Sequence, residues 1–170
     1  MTLVWLATSF GYYLILTLVN TFDDVYEVAI TNNVSEILAY FLSGLFYERI
    51  GVKLSLIVSF VISALGGGLL LVWGLGHEES TWFFVFFLLA KFGVTCTFNI
   101  NYSANSYFFP TLFAATAFGF CNFLARLFSA LSFIVSGLDE PIPMYIFTGL
   151  CIGAGFAALF LRTEKQEKQK

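Results

Sequence analysis

The sequence predicts an all-α, polytopic membrane protein of six helices. Three observations predict it: too little charge to cover a soluble core, six apolar runs, and a segregation of charge between alternate loops. Hydrophobic residues make up 59% of the 170 residues, aromatics 19% and charged residues only 11%. A soluble domain carries roughly one quarter charged residues, because a solvated surface needs them. A chain of this length could bury one ordinary core but could not clothe it for water. Lipid is the solvent that fits. The runs are continuously apolar and do not alternate with period two, which sets a β-barrel aside.

A bilayer span needs about 20 mostly apolar residues. The first run covers 3–19 and ends before the break Asp23, Asp24, Val25, Tyr26, Glu27. The second, 34–47, is the weakest, being interrupted by Ser35, Glu36, Ser43 and Gly44. After the break from Glu48 to Lys53, the third run covers 54–75 and contains Gly66, Gly67 and Gly68. His77, Glu78, Glu79 and Ser80 then separate it from the fourth run, 82–109. That run is too long for one straight span, and its second half is polar: Thr95, Thr97, Asn99, Asn101, Ser103, Asn105 and Ser106, with Tyr102 and Tyr107. Asn99, Ser103 and Ser106 share a helix face by their i, i+4 and i+3 spacing. So many hydrogen-bonding groups cannot face lipid, so they line a protein interface or a water-filled cavity.

Phe109, Pro110 and Thr111 break the chain before the fifth run, 112–137. Asp139, Glu140 and Pro141 precede the sixth, 143–161. In that last run Gly149 and Gly153 form a GxxxG, followed by Gly155, Ala157 and Ala158. Small residues at this spacing let helix backbones approach closely in lipid. Static packing and sliding are both open for these clusters and for Gly66 to Gly68.

Labelling the loops alternately places Asp23, Asp24, Glu27, Glu78, Glu79, Asp139 and Glu140 on one side, with no base. The other side carries Arg49, Lys53, Arg162, Lys165, Lys168 and Lys170 against Glu48, Glu164 and Glu167. The positive-inside rule makes the second side cytoplasmic or matrix-like, with both chain ends on it. Localisation is therefore integral and multi-pass, with a plasma membrane and an organellar membrane such as the mitochondrial inner membrane both open. Glu36, Lys91 and Arg126 remain inside spans, where charge is costly and therefore marks candidate function.

Several classes drop out. Cys96, Cys121 and Cys151 all fall within apolar runs. An odd count there reads as packing, with no disulfide frame or metal site. His77 beside Glu78 and Glu79 reads as a solvated turn. Met1 leads straight into Leu3, Val4 and Trp5 without a basic segment, so no signal peptide is expected. No GxGxxG, GxSxG, P-loop or HExxH pattern occurs, so neither an enzyme nor a cofactor is expected. A basic, aromatic-interleaved surface for nucleic acid is equally missing.

The segment from Gly44 through Glu48, Arg49 and Gly51 to Lys53 resembles the loop signature G-x-x-x-[DE]-R-x-G-[RK]-[RK] of the major facilitator superfamily, with Val52 replacing one base. The resemblance implies that the first glycine allows close helix contact and that the acid and arginine join a charge network on the cytoplasmic face. More of the chain resembles the organic cation/anion transporter branch. The stretch from Trp5 through Ser9, Phe10, Gly11, Tyr12 and Tyr13 is similar to the opening of its seventh helix. Glu36 and Ile37 resemble its eighth-helix E-I-P. Ala90 to Thr95 resembles G-R-x-G-[IV]-[TS] of the tenth, with Lys91 where arginine is usual. Tyr107 to Thr111 resembles E-[LV]-[YF]-P-T, and Arg126 lies where that branch carries an intramembrane charge.

The resemblance implies a six-helix bundle equivalent to one half of the family's fold over 1–161, helices seven to twelve, with a charged cytoplasmic tail over 162–170. It departs at E-x-x-P-T-x-x-R, whose charged positions are Tyr107 and Ala114 here, so Glu48 and Arg49 lose their implied gate partners. The family's first six helices have no counterpart. The expected function is transmembrane transport of a small organic anion, with Arg126, Lys91, Glu36, Tyr12 and Tyr13 as substrate-binding residues. A basic residue at the position of Arg126 goes with anion-handling members, and a guanidinium can grip a carboxylate bidentately. Phe10 could add to an aromatic wall with the two tyrosines. Against this stands a packing reading, in which Lys91 pairs with Glu36 and Arg126 is satisfied by carbonyls and Asn122. Expected partners are the lipid bilayer, a small organic solute, and a second transporter half, a homodimer mate or a larger membrane complex. The alternative is a non-transporting, transporter-derived subunit of such a complex.

Overall fold

The computed structural model describes residues 1–19, 25–74, 81–109, 111–138 and 141–161. Its elements are α1 (Thr2–Val19), α2 (Val25–Ile50), α3 (Val52–Leu69) running into a π-helical turn (Leu70–Gly74), α4 (Thr81–Phe108), α5 (Thr111–Ser136) and α6 (Ile142–Leu159). Backbone groups in lipid must bond within their own segment, and apolar runs of this length satisfy that need as helices. Four of the helices are long and apolar enough to cross a membrane on composition alone, and α1 is a shorter apolar helix. The protein is an all-α, integral, multi-pass bundle. Its surface confirms the solvent: Val72, Leu112 and Phe160 stand exposed, while Lys91, Thr95, Thr97 and Asn101 are buried.

At α2 and α4 the helices compare differently with the sequence reading. α2 begins at Val25, well before the predicted run at 34, and takes in the last three residues of the predicted break. Its early turns are polar because Asn32 and Ser35 are buried against the bundle and escape lipid. α4 is one uninterrupted helix of 28 residues, about 42 Å at 1.5 Å per residue, and agrees within one residue with the long run expected over 82–109. Tilting, or emergence into the interface, accommodates that excess over a hydrocarbon core of about 30 Å. The acids Asp23, Asp24, Glu78, Glu79, Asp139 and Glu140, together with His77 and the basic tail from Arg162, lie outside the described residues.

Gly51 alone separates α2 from α3 and has φ 78°, the one left-handed residue among those described. With ψ 164° it sits in a region that is essentially glycine's own. Ser55 returns both its backbone N–H (3.0 Å) and its hydroxyl (2.8 Å) to the Gly51 carbonyl. A reversal in one residue is thus bought by the second glycine of the loop signature. Beside Gly44, the first glycine, there is open space, so the close contact implied for it is not made among the described residues. Pro143 occupies the first turn of α6, where a missing N–H costs nothing.

α3 packs closely on α4 through small residues. Ser55, Ser59, Ser63 and Gly66 form its buried stripe. A methyl group on Gly66 would lie 2.4 Å from the Ala90 nitrogen, and one on Gly93 would lie 2.5 Å from the Ser63 nitrogen. The Ser63 hydroxyl donates to the Ala90 carbonyl at 3.1 Å. The GxxxG of α6 behaves differently: nothing lies within 4 Å of a methyl on Gly149 or Gly153. The close approach that its spacing permits is not used inside the bundle, which corrects that expectation.

The helix pairings carry an internal symmetry. α1 packs on α5 and α4 on α2; α3 packs on α4 and α6 on α1; α3 meets α6 and α1 meets α4. Exchanging the first three helices for the last three turns the first two of these pairings into each other, does the same for the next two, and leaves the last two unchanged. The two helix triplets thus pair with one another in matching patterns. The principal core, with Leu14, Ile15, Leu56, Phe60 and Phe147, lies where α1, α3, α4 and α6 meet.

Candidate functional site

The three intramembrane charges and the two tyrosines singled out in the sequence converge on one cluster. α1 supplies Tyr12 and Tyr13, α2 Glu36, α4 Lys91 and α5 Arg126. The Tyr12 hydroxyl donates a short hydrogen bond to Glu36 Oε1. Lys91 Nζ lies 3.9 Å from the same oxygen and 4.0 Å over the Tyr12 ring. The Tyr12 and Tyr13 rings meet edge to face at 5.5 Å. Arg126 donates to the Tyr13 hydroxyl, with its guanidinium carbon 5.3 Å from that ring. Four helices are thereby tied through one line of charges and aromatic faces.

Burial divides the cluster. Lys91 is fully buried (0% exposed), and Glu36 keeps 18% of its side-chain surface. Among the described residues no hydrogen bond reaches the Lys91 ammonium, and its three N–H donors have an ion pair too long for a hydrogen bond and one ring face. Arg126, on the middle turns of α5, is exposed and also donates to Asn122 Oδ1 at 3.4 Å. Both pairings of the packing reading are therefore present: Lys91 with Glu36, and Arg126 with Asn122. Phe10 does not join the wall. It is buried with its ring 5.6 Å from Phe128, and no ring contact joins it to either tyrosine among the described residues.

Other residues complete the surroundings without a sequence signal. Tyr12 stacks on Phe98 at 4.9 Å, and Phe98 meets Tyr102 at 5.4 Å. Trp5 lies edge-on to Tyr102 at 5.1 Å and to Phe118 at 5.6 Å. This aromatic box continues from the charged cluster along α1, α4 and α5. In a chain with 22 phenylalanines and 8 tyrosines, no single ring announces itself.

The polar crowd of α4 splits between two environments. Asn101 donates to Thr8 Oγ1 at 2.9 Å, Thr97 to the Gly93 carbonyl at 2.9 Å and Asn105 to the Ala114 carbonyl at 3.0 Å, all inside the bundle. Asn99 reaches Ser43 Oγ on α2 at 2.6 Å, while Ser103 and Ser106 are exposed. Cys96, Cys121 and Cys151 are free and buried. At the loop signature, Glu48 and Arg49 are exposed at the end of α2, and Lys53 is half-buried on α3. An apolar groove of about 360 Å³ between α3 and α6, lined by Phe60, Ala64 and Gly155 among others, holds none of the five cluster residues.

The chain is similar to known transporters. It is 29% identical over 165 residues, 95% of its length, to the Caenorhabditis elegans protein named "Putative transporter B0252.3". It is 28% identical over 162 residues, 93% of its length, to mouse solute carrier family 22 member 4. The matched regions make up 33% and 29% of those proteins, so the chain spans about a third of the length of these relatives. No family model matches. The resemblance to organic-ion transporters read from the helix motifs is thus matched by similarity along nearly the whole chain.

Proposed function

We propose that residues 1–161 form one half of a major-facilitator-type transporter that moves a small organic anion, with 162–170 as a cytoplasmic tail. One observation carries the reading: Arg126 is an exposed guanidinium at mid-helix, on the side of α5 next to Tyr13. An arginine turned to hydrocarbon at that depth costs about 2.5–3.5 kcal/mol even on the mildest scale. Its face therefore borders a cavity or a second half. Lys91 and Arg126 together exceed Glu36 by one positive charge, which lowers the cost of an anion there and raises it for a cation. The matching pairing patterns of the two helix triplets and the similarity to transporters support the same reading.

A second reading is a non-transporting subunit held in a larger membrane complex. It draws on the partners each charge already has, with Glu36 beside Lys91 and Asn122 beside Arg126. One experiment separates the two. The assembly containing this chain is purified in mild detergent, reconstituted, and tested for counterflow of benzenesulfonate and of tetraethylammonium. Transport of the anion that is lost in Arg126→Ala, with assembly intact, is the expected result. Failure of Arg126→Ala to assemble, with no anion counterflow in the unaltered protein, establishes the subunit reading instead. Tetraethylammonium counterflow that survives the substitution overturns the anion assignment.

A further inference from the structure

Lys91 and Glu36 lie 3.9 Å apart, farther than a hydrogen bond, although both stand inside a membrane-spanning bundle. The Lys91 ammonium has no hydrogen-bond partner among the described residues and no exposure. Glu36 has taken the only hydroxyl proton of Tyr12. The cation thus keeps donors free for a second anion, while the nearest hydroxyl is committed to Glu36.

We propose that Glu36 takes up a proton when an organic anion binds, so that one proton and one anion cross together; this rests on the anion-transport reading above. Lys91 is covered by the Tyr12 ring, so an anion held by Arg126 reaches its ammonium only when that ring moves aside, and there it meets the Glu36 carboxylate across the same ammonium. Two like charges sharing one cation repel strongly where water is scarce. A proton on Glu36 removes that repulsion and leaves Lys91 and Arg126 with two positive charges for the anion. The step balances simply. Glu36 carboxylate plus a proton from the water on the entry side gives the carboxylic acid, and release on the other side returns proton and anion together. Protonated Glu36 can still accept from Tyr12 through its carbonyl oxygen.

The surroundings contain no competing acid among the described residues. Tyr12 and Tyr13 face Glu36 from α1, and Tyr40 stands one turn along α2. α4 presents Lys91, Tyr102 and Cys96, whose thiol donates to the Ala39 carbonyl at 3.4 Å. Arg126 acts from α5 across Tyr12. α3 carries one ionisable residue, Lys53, in its first turn at the far end of the bundle. Glu36 is thus the carboxylate that an anion in this cluster would oppose. Linkage then requires proton and anion to raise each other's affinity by the same factor.

The test uses the reconstituted assembly with an entrapped pH dye, the membrane potential clamped, and benzenesulfonate as probe. That anion stays charged throughout the working range and cannot carry a proton itself. An acidic exterior should drive its accumulation above equilibrium, and the lumen should acidify as it enters. Counterflow at equal pH should rise as pH falls, by up to about tenfold per unit for one linked proton. Glu36→Gln should change the rate and flatten that pH dependence. Counterflow with no response to the gradient overturns the proton step and leaves the anion reading standing. No counterflow at all in the unaltered assembly overturns both. A gradient response that persists in Glu36→Gln assigns the proton elsewhere and also overturns the proposal. If Glu36→Gln does not assemble, the dye record of the unaltered protein decides.

Discussion

Gly93 of α4 lies so close to Ser63 of α3 that a methyl group on it would sit 2.5 Å from the Ser63 nitrogen and 2.8 Å from the Ser59 carbonyl oxygen. Both obstacles are backbone atoms and cannot swing aside. Gly66 is in the same position against Ala90, at 2.4 Å. Gly93→Ala and Gly66→Ala should therefore each destabilise the bundle by about 1–3 kcal/mol, the usual cost of overpacking. Gly149→Ala, with open space around it, should stay within roughly 0.5 kcal/mol of the parent. Thermal unfolding in detergent reads the difference. A parent-like Gly93→Ala would show that α3 and α4 are not held at this distance.

That contrast also marks what the sequence could reveal. Glycine spacing in α6 announced where a close approach is possible, but spacing does not say which face has a neighbour. Glu36, Lys91 and Arg126 were conspicuous because a charge inside an apolar run is rare, and they do lie in one cluster. Trp5, Phe98, Tyr102 and Phe118 were hidden by the abundance of aromatic residues. The start of α2 was missed because hydropathy reports contact with lipid, whereas Asn32 and Ser35 are buried in the bundle. The extent of α4 was legible, since the helix falls within one residue of the run 82–109, and its polar second half turns Asn101 and Asn105 inward.

The loop charges give a topology that can be measured directly. Six loop acids, with Glu27 in the first turn of α2 and no base among them, predict Glu78 and Asp139 outside, with Arg49 and Lys165 inside. Single cysteines at these four positions, in a background lacking Cys96, Cys121 and Cys151, should label with a membrane-impermeant maleimide from opposite sides. Labelling of Asp139→Cys and Lys165→Cys from the same side would contradict six spans.

A single copy of this chain should not transport by itself. Alternating access in inverted-repeat transporters needs two bundles rocking about a shared site, and the face bearing Arg126 is open in the isolated chain. Liposomes loaded at less than one chain per vesicle on average should show no saturable benzenesulfonate flux. Flux should appear when the chain is reconstituted with the partner that co-purifies with it. Saturable flux from vesicles holding one chain would refute the requirement for a second half.

The contact between Arg126 and Tyr13 separates a role for charge from a role for geometry. Arg126 gives one N–H to the Tyr13 hydroxyl and another to Asn122, while its guanidinium lies 5.3 Å from the Tyr13 ring centre. Arg126→Ala removes the charge and should abolish anion counterflow. Arg126→Lys keeps the charge but loses the planar fork, so flux should persist with weaker affinity. Tyr13→Phe keeps the ring and removes one acceptor. Its effect should be the smallest, a change of about 2- to 10-fold in KM, as one hydrogen bond is worth ~0.5–1.5 kcal/mol. Its direction carries information too. If the hydroxyl holds the guanidinium ready for the anion, KM rises; if it competes with the anion for the same N–H groups, KM falls. Concentration dependence of benzenesulfonate counterflow, with gel filtration to monitor assembly, measures all three variants. Equal losses in the three variants, accompanied by failed assembly, would place Arg126 in the packing of α1 against α5 and outside any anion site.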